Sequence, residues 1–298
     1  MEFRSIYISH PAQLSVRQNQ LVIRQEQEVT VPMEDITSLL IESQSVSLST
    51  AAIQSLSSAG VTVYFCDEKH MPAALVLPMN QHSRQLRLLN RQIALTSAAK
   101  NRIWKQVVSC KIANQARCLS LLSKREAEDL KYMAGIVRSG DPDNWEAQAA
   151  ATYFPALFGH GFTRGDACLT NAMLNYGYAI VRGAVARNLV MHGLEPCLGI
   201  FHHSELNQFN LADDLMEPFR PLVDLFTVRY ADDSDNLTPR QKQQLFNLTN
   251  YVMLQDGRRY RMITAIGRMV ESYSRILQGS GAALSLPELL PLESYRYE

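Results

Sequence analysis

Apolar and polar positions alternate through the first quarter of the chain and then change period. Arg4 to Ser9, Gln13 to Val16 and Gln20 to Arg24 alternate residue by residue, and Val29 to Val31 continues the pattern, which predicts half-buried strands. Asp35 to Ser43 and Val61 to Cys66 carry the short Ile- and Val-rich runs of buried strands. Between them, Ser49 to Ala59 places Ala52, Ile53 and Leu56 at helical spacing and stops at Gly60, a candidate C-cap. Residues 1–76 therefore read as a small β-rich domain with one inserted helix. Pro72, Pro78 and Asn80 punctuate the next stretch of chain, and 77–84 reads as a linker.

Beyond the linker the period is helical. Leu86, Leu89 and Ile93 recur at i, i+3 and i+7, while Arg84, Arg87 and Arg91 keep the same spacing on the opposite side. This predicts a helix with one buried face and three guanidiniums on the other. Asn101 to Ser123 continues with Trp104, Val107, Val108 and Ile112 inward and Arg102, Lys105 and Lys111 outward. Asp141-Pro-Asp-Asn reads as a helix start with Asp or Asn capping. Asp166 to Val190 predicts a long helix whose small residues, Gly177 and Gly183 among them, permit close packing. Ala231 to Pro239 is an acidic, polar loop, Arg240 to Leu277 reads as one long helical stretch, and Gly279 to Glu298 as a weakly structured tail. The expected fold class is α+β: a small β-rich N-terminal domain, then a larger all-α domain over residues 85–298.

Charge changes this picture more than composition does. The 298 residues, 46% hydrophobic, suffice for one large or two modest domains. The longest charge-free run, 43–66, is dense in Ser and Gln and predicts no membrane span. No basic and apolar leader pattern opens the chain, and five cysteines without a CxxC pair suggest neither a disulfide framework nor a zinc knuckle. The expectation is a soluble cytoplasmic protein without a membrane partner. Net charge is zero, yet Lys69 to Arg125 holds eleven of the 29 basic residues and no acidic one. The remainder carries 18 basic against 29 acidic residues. A sign split on this scale points to a polyanion, commonly nucleic acid, and the excess of Arg over Lys suits bidentate phosphate contacts. A pair of solvated surface helices is the plainer reading.

The densest polar constellation runs from Phe201 to Asp224. If the part after Asn210 is helical, Asp214, Glu217 and Asp224 project to one side. Such a carboxylate stripe needs a cation among its members. Arg220 is one candidate; a divalent metal joined by His202 or His203 is the other. Pro218 and Pro221 are unwelcome in a simple surface helix. Glu146 stands alone in an apolar stretch, which is costly unless it is paired or sits exposed in a first turn. Gly159-His-Gly161 and Gly279-Ser-Gly281 lack the strand–turn–helix context of a nucleotide site.

Asn144-Trp-Glu-Ala-Gln-Ala-Ala-Ala-Thr-Tyr-Phe154, Leu198-Gly-Ile-Phe-His-His203 and Phe209-Asn-Leu-Ala-Asp-Asp-Leu-Met-Glu-Pro-Phe-Arg-Pro-Leu-Val-Asp224 resemble the CRISPR adaptation integrase family. That family is the CRISPR-associated endonuclease conventionally numbered one, and the form resembled is that of type II systems. The resemblance spans nearly the whole chain. It implies an N-terminal domain that dimerises and a catalytic domain whose metal ligands carry over onto Glu146, His202 and Glu217. Many relatives have Asp at the last position, and Glu217 agrees with the type II pattern. His203 competes for the imidazole role, and Asp214 is a supporting carboxylate.

The implied cofactor is Mg2+ or Mn2+. The implied partners are double-stranded protospacer DNA, CRISPR repeat DNA, a second copy in a homodimer, and the small companion subunit (CRISPR-associated protein two) in a hetero-hexamer. The type II form adds the Cas9-family effector. Arg84, Arg87, Arg91, Arg102, Lys105, Arg258, Arg259 and Arg261 would grip DNA phosphates. The implied activity is metal-dependent DNA endonuclease and integrase chemistry. The alternatives are a metal nuclease that does not integrate and a non-catalytic nucleic-acid-binding scaffold.

Overall fold

The computed structural model describes residues 4–78, 84–232, 234–281 and 283–295, so Asn80 of the expected linker lies outside the described residues. The N-terminal strands are β1 (Arg4–Ile8), β2 (Ala12–Arg17), β3 (Gln20–Arg24), β4 (Glu28–Pro32), β5 (Ile36–Ile41), β6 (Val46–Leu48), β7 (Thr62–Cys66) and β8 (Pro72–Val76). They form two four-stranded sheets, ordered β1-β5-β7-β8 and β4-β3-β2-β6. Helix α1 (Thr50–Ser58) begins where Ser49 Oγ accepts the Ala52 N–H at 3.2 Å, and its chain leaves through Gly60 at φ +70°. Pro72, expected to break structure, instead opens β8. It is tolerated because β8 is an edge strand and Pro is its first residue.

Period-two alternation makes the first sheet two-sided. Leu39, Ile41 and Val63 join Leu14, Leu21 and Leu56 in the core shared by both sheets. Leu40, Tyr64 and Cys66 turn the other way, into the helical core. The Tyr64 hydroxyl donates to Ile180 O at 2.8 Å, and a Cβ at Gly183 would stand 2.3 Å from the Tyr64 ring. The glycine is what lets sheet and helix approach.

The helical part comprises α2 (Gln85–Ile93), α3 (Ser97–Leu121), α4 (Ala127–Ile136), α5 (Trp145–Phe158), α6 (Leu169–Met191), α7 (Asn210–Met216), α8 (Arg220–Tyr230), α9 (Pro239–Phe246) and α10 (Met262–Leu277). A 3-10 turn, Glu217–Phe219, joins α7 to α8. The long helices α3 and α6 are central: α3 packs on α4, α5 and α8, and α6 on α7, α8, α9 and α10.

Three expectations need correction. Helix α2 buries Leu88 and Gln92, not the predicted stripe, and leaves Leu86 and Ile93 70% and 66% exposed. Its contact strip is narrow: Gln92 exchanges hydrogen bonds with the backbone of Glu195 at 3.2 and 2.8 Å. Arg240 to Leu277 is not one helical stretch, and the C-terminal part is not all-α. Strands β9 (Tyr251–Gln255) and β10 (Arg258–Arg261) interrupt it, because Asp256 and Gly257 at φ 51° and 74° close a tight hairpin. The expected loose tail is ordered as β11 (Glu288–Ser294), which pairs with β9. It is anchored by buried Asn114, whose Nδ2 donates to Pro287 O at 3.0 Å while its Oδ1 accepts the Leu289 N–H at 2.9 Å.

Candidate metal centre

Three elements meet at one ammonium group. Lys111, on α3, places Nζ 2.7 Å from Glu146 Oε1 and 2.5 Å from Glu217 Oε2. Glu146 lies in the first turn of α5, whose start is fixed by Asp141. The Asp141 carboxylate accepts the N–H groups of Trp145 and Glu146 at 2.8 and 3.0 Å, while its own φ is +50°. Glu217 opens the 3-10 turn between α7 and α8. Pro218 and Pro221 both fall in first-turn positions, where a missing N–H is not felt. The prolines thus tighten the helical path at Glu217.

His202 sits in the loop before α7. Its Nδ1 donates to Asp214 Oδ1 at 2.6 Å, which leaves Nε2 for a ligand. The same carboxylate accepts the N–H groups of Ile200, Phe201 and His202 at 2.6, 2.9 and 3.2 Å. Gly199 is needed here, since a Cβ on it would stand 1.9 Å from the His202 carbonyl oxygen. The His202 pKa is raised, chiefly by the hydrogen bond to Asp214 and further by the charges of Asp214, Glu217 and Glu146, with partial burial opposing. Imidazole and both glutamates therefore share one electrostatic environment.

Glu217 is held from its other side by Arg220, whose Nε is 2.8 Å from Oε1. Burial pushes its carboxyl upward, but Lys111 and Arg220 outweigh it and the net shift is downward. The Arg220 guanidinium lies 4.5 Å over the Tyr178 ring, and the Tyr178 hydroxyl donates to Asp224. Asp224 also accepts from Tyr153 at 3.0 Å, and burial raises its pKa to about 6. The predicted stripe is thereby split three ways. Asp214 serves His202, Glu217 faces Lys111 and Arg220, and Asp224 serves two tyrosines.

The donor chemistry suits a hard divalent cation: two carboxylates and an imidazole nitrogen. Glu217 Oε2 is buried, and the Lys111 ammonium 2.5 Å away supplies the cation that this oxygen needs. As the side chains stand, no three His, Cys, Asp or Glu among the described residues form a ready chelate. The Lys111 ammonium occupies the place between the glutamates.

Lys111 therefore does not face outward as expected. The signal was present: at 100° per residue Lys111 lies about 20° from Trp104, within the apolar stripe of α3. Trp104 itself reaches the site, its ring stacked on Phe201 at 4.4 Å and edge-on to His202 at 6.0 Å. His203 is exposed, with Nδ1 on Phe201 O at 2.8 Å. Of the proposed DNA contacts, Arg84, Arg87, Arg102, Lys105 and Arg258 are exposed. Arg91, also exposed, donates to Leu277 O at 3.3 Å, Arg259 pairs with Glu293, and Arg261 is partly buried.

Solved structures share this fold. A casposase bound to integration product matches at TM-score 0.77 and 22% identity, over 96% of this chain and 93% of that one. A Cas1 protein from Thermotoga maritima matches at TM-score 0.76 and 16% identity, over 95% of this chain and 99% of that one. In sequence, residues 6–268 match the family model described as CRISPR associated protein Cas1. The chain is 41% identical over 304 residues to the CRISPR-associated endonuclease Cas1 of Neisseria meningitidis serogroup C (strain 8013), covering 100% of both. A Cas1 of Francisella tularensis subsp. novicida (strain U112) is 27% identical over 75% of this chain and 77% of its own. The chain belongs to the Cas1 family of CRISPR-associated proteins.

Proposed function

We propose that this protein is a metal-dependent DNA endonuclease and integrase of CRISPR adaptation, of the type II form. It inserts protospacer DNA into a CRISPR array by attack of a DNA 3′-hydroxyl on a phosphodiester at a repeat boundary. The observation that carries this reading is that Glu146 and Glu217 meet at one cation, the Lys111 ammonium, and that both carboxylates raise the pKa of His202, in a chain of this family. Glu146, His202 and Glu217 would hold Mg2+ or Mn2+, which supplies charge neutralisation at the scissile phosphate.

The chain's own residues do the positioning. Asp214 fixes the His202 ring and tautomer. Arg220, clamped by Tyr178, turns Glu217 toward the site, and Asp141 fixes the start of α5 beneath Glu146. Exposed Arg84, Arg87, Arg102, Lys105 and Arg258 would hold backbone phosphates irrespective of sequence. Exchange of one phosphodiester for another is nearly isoenergetic, in keeping with a chain that carries no P-loop motif. The partners of this reading are protospacer duplex, repeat DNA, a second copy joined through the N-terminal domain, and the small companion subunit in a hetero-hexamer, with the Cas9-family effector beside them. Solved Cas6-RT-Cas1–Cas2 complexes, one of them partial, share the fold at TM-scores of 0.61 and 0.66.

The test combines a duplex with free 3′-hydroxyls, a supercoiled plasmid bearing a repeat, the companion subunit and Mn2+. Joined product is expected, and Glu217→Ala should abolish it without loss of the folded state. Nicks without joining would favour the non-integrating nuclease. Binding without any metal-dependent chemistry would favour the scaffold.

A further inference from the structure

The Glu146–Lys111–Glu217 arrangement poses an electrostatic question of its own. Glu217 is almost wholly buried, with its side chain 5% exposed, and Glu146 is 23% exposed, yet both carboxylates point at one place. Two ionised carboxylates cannot share a low-dielectric site without a cation between them. Arg220 answers for Glu217 Oε1 alone, from the far side. Among the described residues Lys111 alone touches both, and it enters from α3, whose neighbouring turns are locked by Trp104, Val108 and Ile112 in the core. One turn further along α3, Asn114 Nδ2 donates to Pro218 O at 2.8 Å. The helix that delivers the ammonium is thus tied to the backbone of the turn that delivers Glu217.

We propose that Lys111 is the site's resident counter-cation: its ammonium holds Glu146 and Glu217 together before metal arrives, and a divalent ion must displace it to take the same two oxygens. The inference rests on the reading of Glu146, His202 and Glu217 as metal ligands. Lys111 is then a positioning residue with two opposed effects. It stabilises the metal-free protein, and it weakens metal binding by competing for the ligands. No bond is made or broken in the exchange. A flexible four-carbon stem ending in a compact charge can withdraw in a way that a planar, bidentate guanidinium cannot.

The two effects predict opposite signs from one substitution. In full-length Lys111→Met, the metal-free protein should melt lower than wild type, because two neighbouring carboxylates lose their shared cation. Its Mn2+ affinity, read by calorimetric titration, should be at least about tenfold tighter, since one competing ion pair removed corresponds to that order of change. The deficit in melting temperature should shrink or vanish at saturating Mn2+. Lys111→Gln serves as the second variant, and if either variant folds only with Mn2+ present, and not at matched NaCl, that recovery also supports the proposal. A role confined to packing would lower stability without tightening metal binding. Equal or weaker Mn2+ affinity in both variants overturns the proposal while leaving the ligand reading intact. Absence of Mn2+ binding in wild type and variants alike, or binding unaffected by Glu217→Gln, overturns the ligand reading and the proposal with it.

Discussion

The Asp214 carboxylate binds the His202 ring and the backbone of the His202 loop at once, with Oδ1 2.6 Å from Nδ1 and Oδ2 2.6 Å from the Ile200 nitrogen. One fully buried side chain thus sets both where the imidazole stands and which nitrogen it presents. Asp214→Asn cannot hold the ring in this tautomer and keep all three backbone donors satisfied. Mn2+ affinity should fall about 10- to 100-fold, the usual cost of removing a residue that orients a metal ligand. Calorimetric titration of the folded variant checks this, and an unchanged affinity would show that Asp214 only braces the loop.

The two adjacent histidines should separate cleanly. The His202 pKa is raised, first by its hydrogen bond to Asp214 and further by the charges of Glu217 and Glu146, whereas His203 is exposed and bonded to a backbone carbonyl. His202→Ala should lose strand joining and most Mn2+ binding, while His203→Ala keeps both near wild type. The reverse result would move the imidazole ligand by one residue.

Helix α2 makes a prediction about salt. Replacing Arg84, Arg87 and Arg91 together by Ala removes up to three phosphate contacts. At a slope of about −0.9 per contact, the log–log salt dependence of DNA binding should flatten by roughly two to three units. Affinity should fall similarly for unrelated sequences. An unchanged slope would mean that these arginines face solvent or another protein surface.

Asp224 supplies a pH dependence with a definite sign. Burial raises its carboxyl from 3.8 to about 6, so it contributes stability that is present below the unfolded value and lost as pH rises through about 6. That rise corresponds to about 3 kcal/mol. Asp224→Asn should therefore be more destabilised relative to wild type at pH 4 than at pH 7, as read by denaturant unfolding at each pH. A constant difference across that range would show that Asp224 is ionised throughout.

Gly183 tests the seam between sheet and helices. A Cβ there meets the Tyr64 ring at 2.3 Å, and the ring is held by its hydrogen bond to Ile180 O. Gly183→Ala should cost about 1–3 kcal/mol by overpacking, measured by chemical denaturation. Gly165→Ala, in open space, should cost far less.

The sequence by itself determined what depends on local period and local chemistry. Alternation placed β1 to β4, short Ile- and Val-rich runs placed β5 and β7, and Gly60 marked the end of α1. The motifs around Glu146 and Glu217 marked two carboxylates that the fold brings to one ammonium. Even the β9–β10 hairpin was legible in Asp256-Gly257, although the apolar spacing around it also fits a helix. Tertiary structure alone decided which face of a helix meets a neighbour. Leu86 and Ile93 have the right spacing for burial, but α2 lies on so narrow a strip that Leu88 and Gln92 take it. It alone decided that β11 is a strand, because β9 and Asn114 lie far away in the chain and supply its partners. It also decided what Lys111 meets on the inward face that its place in the α3 stripe gives it. A lysine within an apolar stripe is costly until two carboxylates from distant elements arrive to receive it, and no local pattern records that they will.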